Sequence, residues 1–164
     1  MRSALLACSA VICCCAVCAW QPAQASANRA RLDRVERRVV RIINRIRAHH
    51  GLRRLKASRS LSRAASGHST DMLSRNFIGH ASSDGTSMGQ RVRRYTGAHW
   101  IGETIAVVSG HGTARRAVRL WMHSPPHRAV LLSPSGRRIG IGRRRGRLGG
   151  ARRSVFTADL ASGG

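Results

Sequence analysis

Cysteine is absent from this sequence after residue 18. All five cysteines, Cys8, Cys13, Cys14, Cys15 and Cys18, sit at the start. The rest of the chain can therefore build no disulfide framework, no Cys-ligated zinc site and no cysteine nucleophile. Acid is almost as scarce. Asp33, Glu36, Asp71, Asp84, Glu103 and Asp159 are the only carboxylates among 164 residues, and their scatter argues against calcium loops and multi-carboxylate magnesium sites. Lysine occurs once, as Lys56, against 29 arginines. Beyond the first segment the aromatic residues are Phe77, Tyr95, Trp100, Trp121 and Phe156. Most fall at core-like positions, which leaves no stacking platform for bases. The same stretch has no apolar run long enough to span a bilayer.

What is abundant is positive charge: the formal net charge is +24, on a chain with 42% apolar residues and 17 glycines. That composition is globular rather than disordered, and the length suits one domain. Arginine stays charged at any accessible pH and binds phosphate or carboxylate through a planar fork. GC-rich codons alone would favour arginine over lysine. Whatever its origin, such a surface attracts nucleic acid, anionic lipid headgroups and acidic polysaccharide.

Residues 1–25 read as a signal peptide. Arg2 supplies the positive start, Ala4 to Trp20 the apolar stretch, Gln21-Pro22 the break, and Ala23-Gln24-Ala25 a small-x-small cleavage site. An apolar stretch of about 17 residues is short for a retained membrane anchor. Leu5-Leu6-Ala7-Cys8 superficially resembles a lipobox but comes too early to leave an apolar region before it. The expected mature chain starts near Ser26, carries about +23 and lies outside the cytoplasm. It has no transmembrane helix and forms a single domain over 26–164.

Periodicity organises that domain. Apolar residues at 32, 35, 39, 42, 43 and 46 form a helix stripe ending near Gly51. A second helix follows Ser58 or Ser60, with Leu61, Ala64, Ala65, His68 and Met72 on one face. Residues 76–87 are a loop with an Asp84-Gly85 turn, and Ser87 with Gln90 could be the capping box of a short helix to Tyr95. Ile101–Val108 is a strand. Thr113 caps a helix carrying Ala114, Ala117, Val118 and Trp121, and Ser124-Pro125 starts another. Ile139–Gly142 and Ser154–Leu160 are two strands joined by the Arg/Gly segment 143–153. Helices packed on antiparallel strands are the expected architecture.

Several tempting motifs fail. Gly140-x-Gly142-x-x-x-Gly146 has the wrong spacing for a dinucleotide site and reads as hairpin glycines. His123 and His127 have zinc-helix spacing, but Pro125 and Pro126 forbid one continuous helix between them. No Gly-x-Ser-x-Gly elbow occurs. Glu103 is more informative: in an extended Trp100-Ile-Gly-Glu-Thr-Ile105 it shares a face with Ile101, Ile105 and Val107. A carboxylate there needs a partner or a raised pKa, and an arginine-paired structural role competes with a functional one. His68, on an apolar helix face, reads as a satisfied core histidine.

Seven short pieces follow one another along the chain: Asn44-Arg45-x-Arg47-x-x-His50-Gly51-Leu52, His68-Ser69-x-Asp71-Met72, Phe77-x-x-His80-x-Ser82-x-Asp84-Gly85 and Gly102-Glu103-x-Ile105, then Trp121-Met122-x-Ser124-Pro125-x-His127-Arg128, Ile139-Gly140-Ile141-Gly142 and Phe156-Thr157-x-Asp159. In this order they resemble a bacterial member of the CAP superfamily (cysteine-rich secretory proteins, antigen 5 and plant pathogenesis-related proteins), also called SCP-like extracellular proteins. The resemblance covers about residues 36–161, the expected core of the domain. It implies an α+β fold, an α-β-α sandwich with a central antiparallel sheet, and a cavity lined by two His and two Glu. Carried over, these become His80, Glu103 and His127. Ser124 stands where the second Glu would be, Thr104 replaces the usual Asn and Pro126 the usual Gly. Ser124 is expected to cap the helix with its hydroxyl, and the positive helix end to lower the His127 pKa.

Two imidazoles, one carboxylate and an open fourth position suit zinc, so His80, His127 and Glu103 are the expected metal ligands. Sterol or lipid binding, metal binding, cell-wall association and proteolysis have all been attributed to relatives, so fold does not settle function. Three readings follow. The first is a secreted binding module with a metal-capable cavity, whose cationic face associates with anionic polymers of the cell envelope or with anionic lipid. The second is a hydrolase using Glu103 as base with His80 or His127 as partner, though no nucleophile or oxyanion site is evident. The third is a polyanion binder that holds nucleic acid without sequence specificity.

Overall fold

The computed structural model describes residues 32–163. The signal-peptide expectation for 1–25 lies outside them. Helix α1 (Arg34–His49) begins at a reciprocal capping box: the Asp33 side chain accepts from the Glu36 N–H at 2.7 Å and the Glu36 side chain accepts from the Asp33 N–H at 2.7 Å. It ends before Gly51, whose φ of +65° suits a residue without a Cβ. Val39, Val40 and Ile43 are buried, and the expected stripe members Leu32, Val35, Ile42 and Ile46 pack only partly against that core. Glu36, Asn44 and Arg47 are buried as well, so the inner face is rotated toward polar positions. Arg47 is held wholly by carbonyls, donating to Arg53, Leu131 and Ser133 at 2.7 to 3.0 Å.

After the short strand β1 (Lys56–Ala57), α2 (Arg59–Ser74) starts at Ser58, whose hydroxyl accepts from the Leu61 N–H. α3 (Met88–Arg93) has the expected Ser87/Gln90 capping box. Strand β2 (Ile101–Ser109) leads to α4 (Ala114–His123), capped by Thr113, and α5 (Pro125–Leu131). Ser124 precedes α5 but its side chain makes no cap hydrogen bond. Pro125 and Pro126 leave His127 as the first N–H donor of that turn, and the Ser124 hydroxyl does not engage it. Among the described residues no helix is long and apolar enough to cross a membrane.

β3 (Arg138–Leu148) and β4 (Ala151–Ala161) are longer than expected. The Arg/Gly segment read as a connection is itself paired, from Arg143 opposite Phe156 to Leu148 opposite Ala151. The real turn is Gly149-Gly150, both at positive φ, the two-residue hairpin geometry that glycine permits. Sheet order is β1-β3-β4-β2. The three long strands are antiparallel as expected, while β1 runs parallel to β3 at the edge and makes the sheet mixed.

Side-chain alternation builds the layers. Ala106, Ile139, Ile141, Phe156, Ala158 and Leu160 meet α1, α4 and α5 in the main core, around the fully buried Trp121. The opposite face carries Glu103, Val155, Thr157 and Asp159 toward α2 and α3. There β3 presents Gly140 and Gly142. A Cβ on Gly140 would stand 2.1 Å from the backbone of Leu61, and one on Gly142 would stand 2.3 Å from that of Ala65. Within the β3–β4 hairpin these glycines therefore also serve close helix-to-strand packing. Their bare backbone lets α2 settle on the sheet and brings His68 and Ser69 over the β4 side chains.

Candidate functional site

Glu103 lies on β2, directly opposite Asp159 on β4, and Asp159 is in turn opposite Gly140 on β3. Both carboxylates point to the α2 face and both are buried. Glu103 shares its face with Ile105 and Val107, as expected from the alternation. Its two oxygens are both engaged. His80, in the loop after α2, donates from Nδ1 to Oε1 at 2.7 Å, and Arg91 of α3 donates to Oε2 at 2.5 Å. Arg91 also donates to the His80 carbonyl at 2.9 Å and to the Ser82 hydroxyl at 3.0 Å. One guanidinium thus ties the 76–87 loop, α3 and the sheet together.

Two environments separate the carboxyls. Burial would raise Glu103, but the His80 hydrogen bond and the Arg91 charge outweigh it and hold its pKa below the usual 4.5. Asp159 has no hydrogen-bond partner at either oxygen. Burial, followed by the neighbouring Glu103 charge, pushes its pKa well above 3.8. The two shifts run in opposite directions, favouring the protonated form of Asp159 and the ionised form of Glu103. Nearby, Thr157 and Ser69 share a hydrogen bond at 2.8 Å, and Ser69 donates to the Gly142 carbonyl at 3.1 Å.

The histidines differ as sharply. His80 is half exposed, and the Glu103 hydrogen bond raises its pKa above 6.5. Its Nε2 makes no hydrogen bond among the described residues. His68 is buried, as expected of a core histidine, and donates from Nε2 to the Gly79 carbonyl at 2.8 Å. That fixes its tautomer and leaves Nδ1 an unpartnered acceptor. Burial lowers its pKa. His127 sits in the first turn of α5 and is partly buried. Its pKa is lowered by burial and then by the His80 charge. A lowered His127 pKa was expected, and burial and the His80 charge give it that direction. A cavity of about 210 Å³ opens beside the cluster, bordered by His68, Asp71, Ser82, Arg91 and Tyr95.

The structure brings His80 and Glu103 into contact and leaves His127 at the margin. Among the described residues no three of His, Cys, Asp and Glu are grouped to hold a metal ion. With Arg91 seated on one oxygen of Glu103 and His80 on the other, the side chains as placed do not fit a divalent cation, which would face a fixed guanidinium. Two members of the cluster escaped the sequence reading. Asp159 was visible as the end of Phe156-Thr157-x-Asp159 but carried no role. Arg91 carried no mark among so many arginines.

The sandwich and the ordered pieces can be set against known proteins. The chain matches the cysteine-rich secretory protein (CAP) family over residues 40–159. It belongs to that family. Two Bacillus subtilis (strain 168) proteins carry related CAP sequence: the uncharacterized protein YkwD and the uncharacterized membrane protein YlbC are each 32% identical over 108 residues, 65% of this chain. The chain spans 41% of YkwD and 31% of YlbC, so this CAP domain corresponds to a part of each. Among solved structures, an extracellular SCP-domain protein from Bacillus anthracis str. Ames is similar with a TM-score of 0.66 and 26% identity, covering 77% of this chain and 40% of that one.

Proposed function

We propose that this CAP domain is an extracytoplasmic binding module that associates with anionic polymers or anionic lipid of the cell envelope through its unneutralised arginines. One observation carries the reading. The few acids are used internally: Glu103 and Asp159 are buried in the cluster, Glu36 is buried at the start of α1, and Asp33 pairs with Arg143 at 2.8 Å. Asp71 and Asp84 turn to Ser83 and Thr86 in the 76–87 loop. The outer arginines face solvent with little opposite charge to cancel them. The likeness to an extracellular SCP-domain protein supports the location. Binding to heparin or random-sequence DNA should be independent of sequence, and affinity should fall by orders of magnitude between ~50 and ~200 mM salt if about six or more charges are contacted. A flat salt response defeats this reading.

A hydrolase reading keeps one specific support. Glu103 fixes His80 with Nδ1 protonated and leaves Nε2 free to act as a base. Activity on peptide and glycan libraries that disappears in both Glu103→Gln and His80→Ala would establish it. Zinc at His80, Glu103 and His127 requires Arg91 to leave Glu103. Calorimetric zinc titration of the wild type, His80→Ala and His127→Ala tests that rearrangement, and equal affinity in all three excludes it.

A further inference from the structure

At the end of the sheet away from Glu103, a cavity of about 610 Å³ is lined by Arg145, Arg147, Arg152, Arg153 and His111. Among the described residues no carboxylate borders it. Arg147 and Arg152 are directly opposite each other across β3 and β4, an arrangement of like charges that destabilises a strand pair. Arg145 follows on the same face, two residues along. The partners these groups do have are neutral: Arg147 donates to the Gly150 carbonyl at 2.6 Å and Arg153 to the Ser109 hydroxyl at 2.7 Å. The geometry points to a groove for a linear phosphate polymer, an assignment that rests on the polyanion reading above and localises it.

Three features choose that ligand. A planar carboxylate is filled by one guanidinium fork, whereas the tetrahedral oxygens of a phosphate point several ways and can bridge Arg147 and Arg152 from opposite strands. Several arginines succeed one another along the hairpin, so a chain of closely spaced charges satisfies them where a single ion would not. The groove is concave and, among the described residues, has no apolar side chain along it. A flat bilayer therefore finds nothing to insert against and cannot reach its floor.

The test is titration of inorganic polyphosphate into the full protein by calorimetry at several salt concentrations. The double variant Arg147→Ser/Arg152→Ser is compared with a charge-matched control, Arg115→Ser/Arg116→Ser, at exposed positions of α4. The hairpin variant should lose about tenfold or more in affinity and about two from the salt slope, against about threefold or less for the control. Equal losses in both variants overturn the groove while leaving the general polyanion reading intact. Wild-type protein that ignores polyphosphate but binds heparin also overturns the groove alone, and failure to bind any polyanion overturns both. Binding of poly-glutamate as tight as that of polyphosphate overturns the choice of phosphate. Phosphatidylglycerol vesicles that bind wild type and control alike but lose the hairpin variant would replace the polymer with a membrane.

Discussion

β2 and β4 connect two ends of one sheet that treat charge in opposite ways. Near Glu103 and Asp159 every charge is placed against a specific neighbour. About 20 Å along the strands, at roughly 3.3 Å per residue, arginines stand opposite arginines. The difference follows from solvent. A carboxylate buried beside Ile105 and Val107 loses its hydration, so it must be paired, as Glu103 is, or pushed toward its protonated form, as Asp159 is. Arginines on the hairpin keep their water, which screens their repulsion and tolerates loose geometry. Buried charge therefore specifies structure at one end, and exposed charge remains available to outside anions at the other.

The packing beneath the acidic end is the most sensitive point. Gly140→Ala should destabilise the protein by about 3 kcal/mol or more, since its methyl would meet helix backbone that cannot yield as a flexible side chain would. Urea unfolding measures this, and a near-normal midpoint would show that α2 can lift away freely. Next in size, Glu103→Gln leaves the Arg91 guanidinium without its counter-charge. It should cost about 3 kcal/mol at neutral pH. Adding Arg91→Met should restore part of that loss. A single variant as stable as wild type would mean that the pair is not buried in solution.

The basic end should respond with the opposite sign. Arg147→Ser relieves the cross-strand repulsion and should raise stability by about 0.5 kcal/mol, with the gain shrinking as salt increases. Thermal melts at low and high salt decide it. A loss of stability would mean that the bond to Gly150 matters more than the repulsion, and the contrast between the two ends would weaken.

The same division explains what could be read from sequence. Helix starts with short local logic, such as Ser87/Gln90 and Thr113, were legible because cap and first turn lie within four residues. The Glu103 face followed from period-two alternation. Ser124 misled because its residue type and its place before Pro125 suit a cap, while the direction its hydroxyl takes is not written in the sequence. Gly140 and Gly142 lie in a hairpin as read, but their packing role was hidden because nothing local records that α2, nearly 80 residues earlier, presses on them. Strand pairing through Arg143–Leu148 was hidden for a similar reason, since a run of arginines and glycines has no apolar alternation to reveal a solvated strand. Arg91 was illegible because its role depends on which one of many arginines reaches a buried carboxylate.

The smallest effect is the one that reads the acidic end most directly. His80 and His127 should titrate on opposite sides of 6.5, His80 above because of the Glu103 hydrogen bond and His127 below because of burial and the His80 charge. The raised His80 pKa stabilises the fold fully below 6.5, and that contribution is lost as pH rises through its folded value. The lowered Glu103 pKa stabilises above 4.5, and its contribution is lost as pH falls through its folded value. Together the pair contributes most between those two pH values. Because His80 is half exposed, its effect on stability should be slight, so the titration itself is the measurement. Histidine NMR resonances followed with pH should separate the two residues, and Glu103→Gln should bring His80 back toward 6.5 while relieving His127. Coincident curves, or a His80 curve indifferent to Glu103→Gln, would break the His80–Glu103 contact on which the distinction between the two ends depends.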